Sequence, residues 1–220
     1  MNDCLVAGLW KAYFVEELCW QSFGESRRPS CWRAPSWSWA GTIGNIQPYG
    51  MSPYNVLPST MVAIKKLDVS TKSSGEIEQG SVLVECRLIP GSLRYNGNRW
   101  GTARCTLDKD IWPSLTEVPI DQESHLKAYG SFDVGSCEVK LDDPSAPCYG
   151  VNQAVHIELL LLLRFDSEDY PMVLKGICIV HSSNQPSAFE RIGSFTIGRE
   201  PARLVLAAYE KGWVQNISLV

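Results

Sequence analysis

The chain has 220 residues, 45% hydrophobic and 20% charged, with 20 Lys+Arg against 24 Asp+Glu for a net charge of -4. That length buries one core and argues for a single domain over 1–220, and the absence of a basic excess or a like-charge run argues against nucleic acid as a partner. The most apolar stretch, Leu159 to Leu163, lies between Glu158 and Arg164 and is far too short to span a membrane.

Residues 4–22 predict a helix, since Val6, Leu9, Trp10, Tyr13, Phe14 and Trp20 fall on one broad arc at helical spacing, with Asp3 as N-cap and Gly24 as stop. After a serine-, arginine- and proline-rich loop comes Arg33-Ala34-Pro35-Ser36-Trp37-Ser38-Trp39-Ala40-Gly41. Alternation predicts a strand over 33–41, begun behind Pro35, with both indoles on one face. Trp37 and Trp39 are then core residues or the lining of an aromatic ligand pocket. Trp10, Trp20 and Trp32 read as packing residues.

The segment 60–208 reads as a β core. Met61–Val69 and Ser81–Ile89 are strands, punctuated by Ser73-Ser74-Gly75 and by Pro90-Gly91. Weaker strands are expected at 101–107 and 131–141, joined by a loop broken at Pro113 and Pro119. A second loop runs from Asp142 through Pro144 and Pro147 to Gly150. Val155–Phe165, Met172–His181 and Phe189–Ile197 are clearer, and Leu204–Ala208 closes the set as a strand or a short helix. About eight strands without intervening helices predict an all-β fold, an antiparallel barrel or sandwich, with the N-terminal helix packed on it.

Eight cysteines, at 4, 19, 31, 86, 105, 137, 148 and 178, contain no CxxC spacing and no Cys/His cluster. No basic segment followed by an apolar run opens the chain. They read as free thiols of a reducing, cytoplasmic protein. No metal site and no cofactor is expected, because metal-ligand spacings and phosphate-binding glycine loops are absent.

Among the three histidines, His156 shares a strand face with Glu158 and would make a histidine–carboxylate general base. The competing reading puts both on the outer face of a barrel strand. His181 closes its strand on the face of Ile177 and Ile179 and is expected half-buried at the barrel rim, where it could face a ligand. Arg191 is predicted on the face of Phe189 and Phe195, a candidate for anion binding or for a cation–π contact.

The ordered series Ala7-Gly8-Leu9-Trp10, Leu18-Cys19-Trp20, Arg28-Pro29-Ser30 and Arg33 to Ala40 closely resembles the stretch that follows the conserved domain of fungal heterokaryon-incompatibility (HET) proteins. Gly80 to Pro90, Leu160 to Leu163, Leu174 to Ile179 and Phe189 to Phe195 look like that family's later strands. Gly41 stands where the family has a serine after Trp39-Ala40. The family's N-terminal TIR-like domain has no counterpart in these residues, so the resemblance implies a chain that starts where that domain ends and carries over no nucleotide-directed or death-signalling activity.

Two functions are expected. One is a non-catalytic recognition or regulatory β domain of a HET-like protein, with a protein partner. The other is a barrel that binds a small hydrophobic ligand and acts as a cofactor-independent isomerase or cyclase in fungal secondary metabolism. An open interior touching at least two of His156, Glu158, His181 and Arg191 would favour the second.

Overall fold

The computed structural model describes residues 4–48, 56–95, 102–107, 136–146 and 153–220. Ala7 at φ 50° and Gly8 at φ 88° make the two-residue turn of a hairpin pairing β1 (Leu5–Val6) with β2 (Leu9–Trp10). A 3-10 turn at Lys11–Tyr13 and the single helical turn α1 (Phe14–Glu17) follow, and then β3 (Gln21–Arg27). The helix expected over 4–22 is thus reduced to 14–17. Its apolar spacing is real, but left-handed backbone at Ala7 and Gly8 ends any helix there.

The strand expected over 33–41 is instead a pair of turns. Pro35 O accepts from the Ser38 N–H at 3.0 Å, and a 3-10 turn at Trp39–Gly41 is capped by Ser38, whose Oγ accepts from the Ala40 N–H at 3.1 Å. Serine side chains that bond nearby backbone compete with a ladder, and here they win. Strand pairing resumes with β4 (Ile43–Gln47) against β3.

The rest is strand-rich, as expected: β5 (Ser59–Thr60), β6 (Ala63–Thr71), β7 (Ile77–Cys86), β8 (Leu88–Tyr95), β9 (Thr102–Leu107), β10 (Ser136–Leu141), β11 (Ala154–Ser167), β12 (Tyr170–His181) and β13 (Ala188–Gly198). They are completed by helix α2 (Arg199–Lys211) and β14 (Gln215–Leu219). The expected strand Ser81–Ile89 breaks at Arg87 into β7 and β8, and Pro90-Gly91 lies inside β8 rather than in a turn. Pro90 stands beyond the β8–β9 ladder, which starts at Gly91↔Leu107, so its missing N–H removes no rung there. The loop expected at 108–130, and Pro147 to Gly150, lie outside the described residues.

Six strands close on themselves. In the order β8-β9-β10-β13-β12-β11 each pairs antiparallel with the next, and β11 returns to β8. At one end β13 also pairs in parallel with β14, which carries β7 and then β6 as an extension, while β5 sits on β11. Gly193 makes the closure possible, since a Cβ there would stand 2.4 Å from Lys140 O on β10.

Two cores result, divided by the barrel wall. Inside the barrel lie Ile89, Leu93, Cys105, Val139, Ile157, Leu159, Leu161, Cys178 and Phe195, and α2 packs on this cluster through Ala202, Val205, Leu206 and Tyr209 at helical spacing. Outside the wall, Leu160, Leu162, Leu163, Phe165, Ile177 and Ile179 bury against Phe14, Leu18, Trp20 and Trp37 of the N-terminal segment and against β7 and β14. The run Leu159–Leu163 is apolar throughout because β11 has a core on each side.

Candidate functional site

Arg191 organises the junction between the N-terminal segment and the barrel wall. A register shift sets Gly193 opposite Cys178 but Arg191 opposite Ile179, so the expected common face is split: Phe195 joins the barrel core and Phe189 the outer one. Arg191 turns outward and is only 1% exposed. Its Nε donates to Asp142 Oδ2 at 2.8 Å and its Nη2 to Oδ1 at 3.0 Å, with Asp142 equally buried. Nη1 donates to Leu18 O, Nη2 also to Trp20 O at 2.6 Å, and the guanidinium lies over the Trp20 ring. A buried guanidinium satisfied in this way has no donor directed to an outside anion; the cation–π contact is made within the chain.

The rest of the tryptophan segment ties into the same knot. The Trp20 indole N–H donates to Trp37 O at 2.9 Å, and Ser36 Oγ accepts from the Arg191 N–H at 2.9 Å while donating to Val220 O. Arg28 donates through Nη2 to Ser36 O and Arg191 O, both at 3.0 Å, and through Nη1 to Gly41 O. Arg33 donates to Ala40 O and Thr42 O. Trp39 places its indole N–H on Gly8 O at 2.9 Å, closing the segment onto the first hairpin.

The two indoles of that segment differ. Trp37 is fully buried, edge-on to Phe14 at 5.4 Å, whereas Trp39 is 41% exposed. Neither lines a ligand pocket in the barrel. Trp10 and Trp32, expected to pack, are exposed at 44% and 57%.

His156 and Glu158 do meet, Nε2 to Oε1 at 3.6 Å, but on the outer face of β11, with His156 exposed to solvent. His181, expected half-buried, is exposed; its ring stacks on Phe189 at 4.4 Å and its Nδ1 lies 3.1 Å from Pro186 O. Among the described residues, the side chains that the barrel strands turn inward are buried aliphatic, aromatic and cysteine groups, and none of His156, Glu158, His181 and Arg191 is among them.

A groove lies elsewhere among the described residues. It measures about 970 Å³ and runs between the loop 28–36, the face of the β6–β7 hairpin and the turn at 182–185. Arg28, Trp32 and Arg33 form one wall, and Leu67 to Ser70 with Glu78 to Ser81 form the other. Pro35 packs so closely on Gly80 that a Cβ there would stand 2.3 Å from Pro35 Cγ, which fixes one wall against the other. Both arginines are committed to backbone carbonyls, Asp68 is paired with Lys66 at 2.7 Å, and Glu190 accepts from Ser182 Oγ. None of His156, Glu158, His181 or Arg191 lines this groove.

Sequence reasoning read Trp32 as a packing residue and Asp142 as the start of a loop, and passed over the hairpin face. A serine- and proline-rich loop preceding Trp32 was the available signal for its exposure; Asp142 carried none, since its partner is distant in the chain. No family model matches the chain, and neither does any curated protein or solved structure.

Proposed function

We propose that the chain is a recognition or regulatory β domain of a fungal HET-like protein, without catalysis of its own, and that it meets a protein partner over the groove between Trp32 and the β6–β7 hairpin. The observation that carries this reading is Trp32, 57% exposed on the wall of a groove of about 970 Å³. Large aromatics held in the open beside a preformed cleft are the residues that dominate protein interfaces. The residues that carry the HET-like resemblance convene in the fold: Leu18, Trp20, Arg28, Ser36 and Trp37 all join one hydrogen-bonded knot. The isomerase or cyclase reading calls for an open interior lined by polar groups, whereas the described residues that face the barrel interior are mostly apolar and buried.

The test compares immobilised wild-type chain with Trp32→Ala and with Trp213→Ala, whose indole is 91% exposed outside the groove. A protein retained from fungal extract by wild type and Trp213→Ala, lost with Trp32→Ala and then rebound in purified form with the same order of affinities supports the reading. Equal retention by the wild type and both variants refutes it.

A further inference from the structure

We propose that Cys105 and Cys137 form a reversible cross-strand disulfide inside the barrel, making the β9–β10 pair a redox-modifiable seam. The two cysteines are direct register partners on adjacent antiparallel strands. Both side chains point inward, Cys105 fully buried and Cys137 at 7% exposure, and both belong to the barrel core. Opposed residues of an antiparallel pair have Cα atoms about 4.5–5.5 Å apart, inside the range a disulfide spans. Their Cβ atoms, about 4.5–5.5 Å apart on such a rung, need to approach only slightly to reach the roughly 3.5–4.5 Å of a bridge. Neither cysteine is in a disulfide in this structure.

The co-reactant is a low-molecular-weight disulfide such as oxidised glutathione. Cys137, the less buried thiol, attacks as its thiolate, forming a mixed disulfide and releasing one glutathione thiolate. Cys105, as its thiolate, then attacks the Cys137 sulfur and releases the second. The protein loses two protons and two electrons, and the oxidant becomes two thiols. Cys178 is the competing partner: it also faces the barrel core, and burial together with the neighbouring Cys105 pushes its thiol well above the ordinary range. A thiol held protonated is the poorer nucleophile.

The test treats the fully reduced chain with oxidised glutathione, blocks the remaining thiols under denaturing conditions, and maps peptides without reduction. The expected product links the peptides of Cys105 and Cys137, persists in Cys178→Ala, disappears in Cys137→Ala and reverts with dithiothreitol. The oxidised form should melt roughly 5–10 °C higher than the reduced form. Three outcomes overturn the proposal: Cys105 linked to Cys178, a glutathione adduct on Cys137 that never resolves, or both thiols fully alkylated while the exposed Cys31 has reacted with the oxidant.

Discussion

The guanidinium carbon of Arg191 lies 3.5 Å from the centre of the Trp20 ring, while its Nη2 donates to the carbonyl of that same residue at 2.6 Å. One charged side chain thus holds both the ring and the backbone of the N-terminal segment, and Asp142 compensates its charge. Asp142→Ala leaves that charge buried without its partner and should destabilise the fold by about 3–5 kcal/mol in urea titration. Joining it to Arg191→Met should cost less than the two single losses summed. Strict additivity would show that the pair does not act as a unit.

The two tryptophans of Ser36-Trp37-Ser38-Trp39 should separate in the same assay. Trp37→Ala empties a fully enclosed site and should cost about 3–5 kcal/mol. Trp39→Ala removes a half-exposed ring and one hydrogen bond to Gly8 O, an expected loss of about 1–2 kcal/mol. Equal losses would contradict the burial difference.

Gly193→Ala should loosen the barrel where it closes, because the new methyl group meets backbone of β10 rather than a side chain that can turn away. A cost of about 1–3 kcal/mol is expected. Amide exchange should accelerate at Val139 to Leu141 before it does in β6 and β7. Gly198→Ala, where the nearest atom is 3.9 Å from the added carbon, is the control and should be neutral.

Alkaline pH should destabilise the fold. Burial pushes the Cys19 and Cys86 thiols up to about 12, whereas unfolded cysteine ionises near about 8.5. Between those values the folded chain binds more protons than the unfolded one. Stability is therefore full below about pH 8 and falls as pH rises, by at most about 1.4 kcal/mol per pH unit for each thiol. Burial shifts Tyr209 in the same direction; Lys175, whose ammonium burial pushes down, acts oppositely below its ordinary 10.5. Urea midpoints from pH 7 to 10 should fall for wild type and fall less steeply in Cys19→Ala/Cys86→Ala, where the buried Cys178 thiol still contributes.

The β core was legible because its strands alternate or run apolar between turn residues, and β11, β12 and β13 lie within a few residues of expectation. The first 41 residues misled because their regularities serve other ends. The helical spacing of Val6, Leu9 and Tyr13 spans a hairpin whose only local mark is Gly8, and the alternation of serine and tryptophan is a set of side-chain caps. Arg191 was singled out correctly as unusual, yet its face was misjudged, since a single register shift in the strand pair reverses every side chain beyond it. The pairing with Asp142 could not be read from local pattern, because only the closed sheet brings the two together.

Ser36, on a loop near the start of the chain, is held by the backbone of Arg191 and by Val220. During synthesis the ribosome delivers residues 18–41 long before the strands that satisfy them. Until β13 and β14 have emerged, Trp20 and Trp37 have only part of the wall they bury against, and the carbonyls of Leu18 and Trp20 have no guanidinium. Residues 18–41 are thus made well before β13 and β14 and settle only with them, which leaves an aromatic-rich stretch exposed to chaperones and to neighbouring nascent chains until those strands emerge.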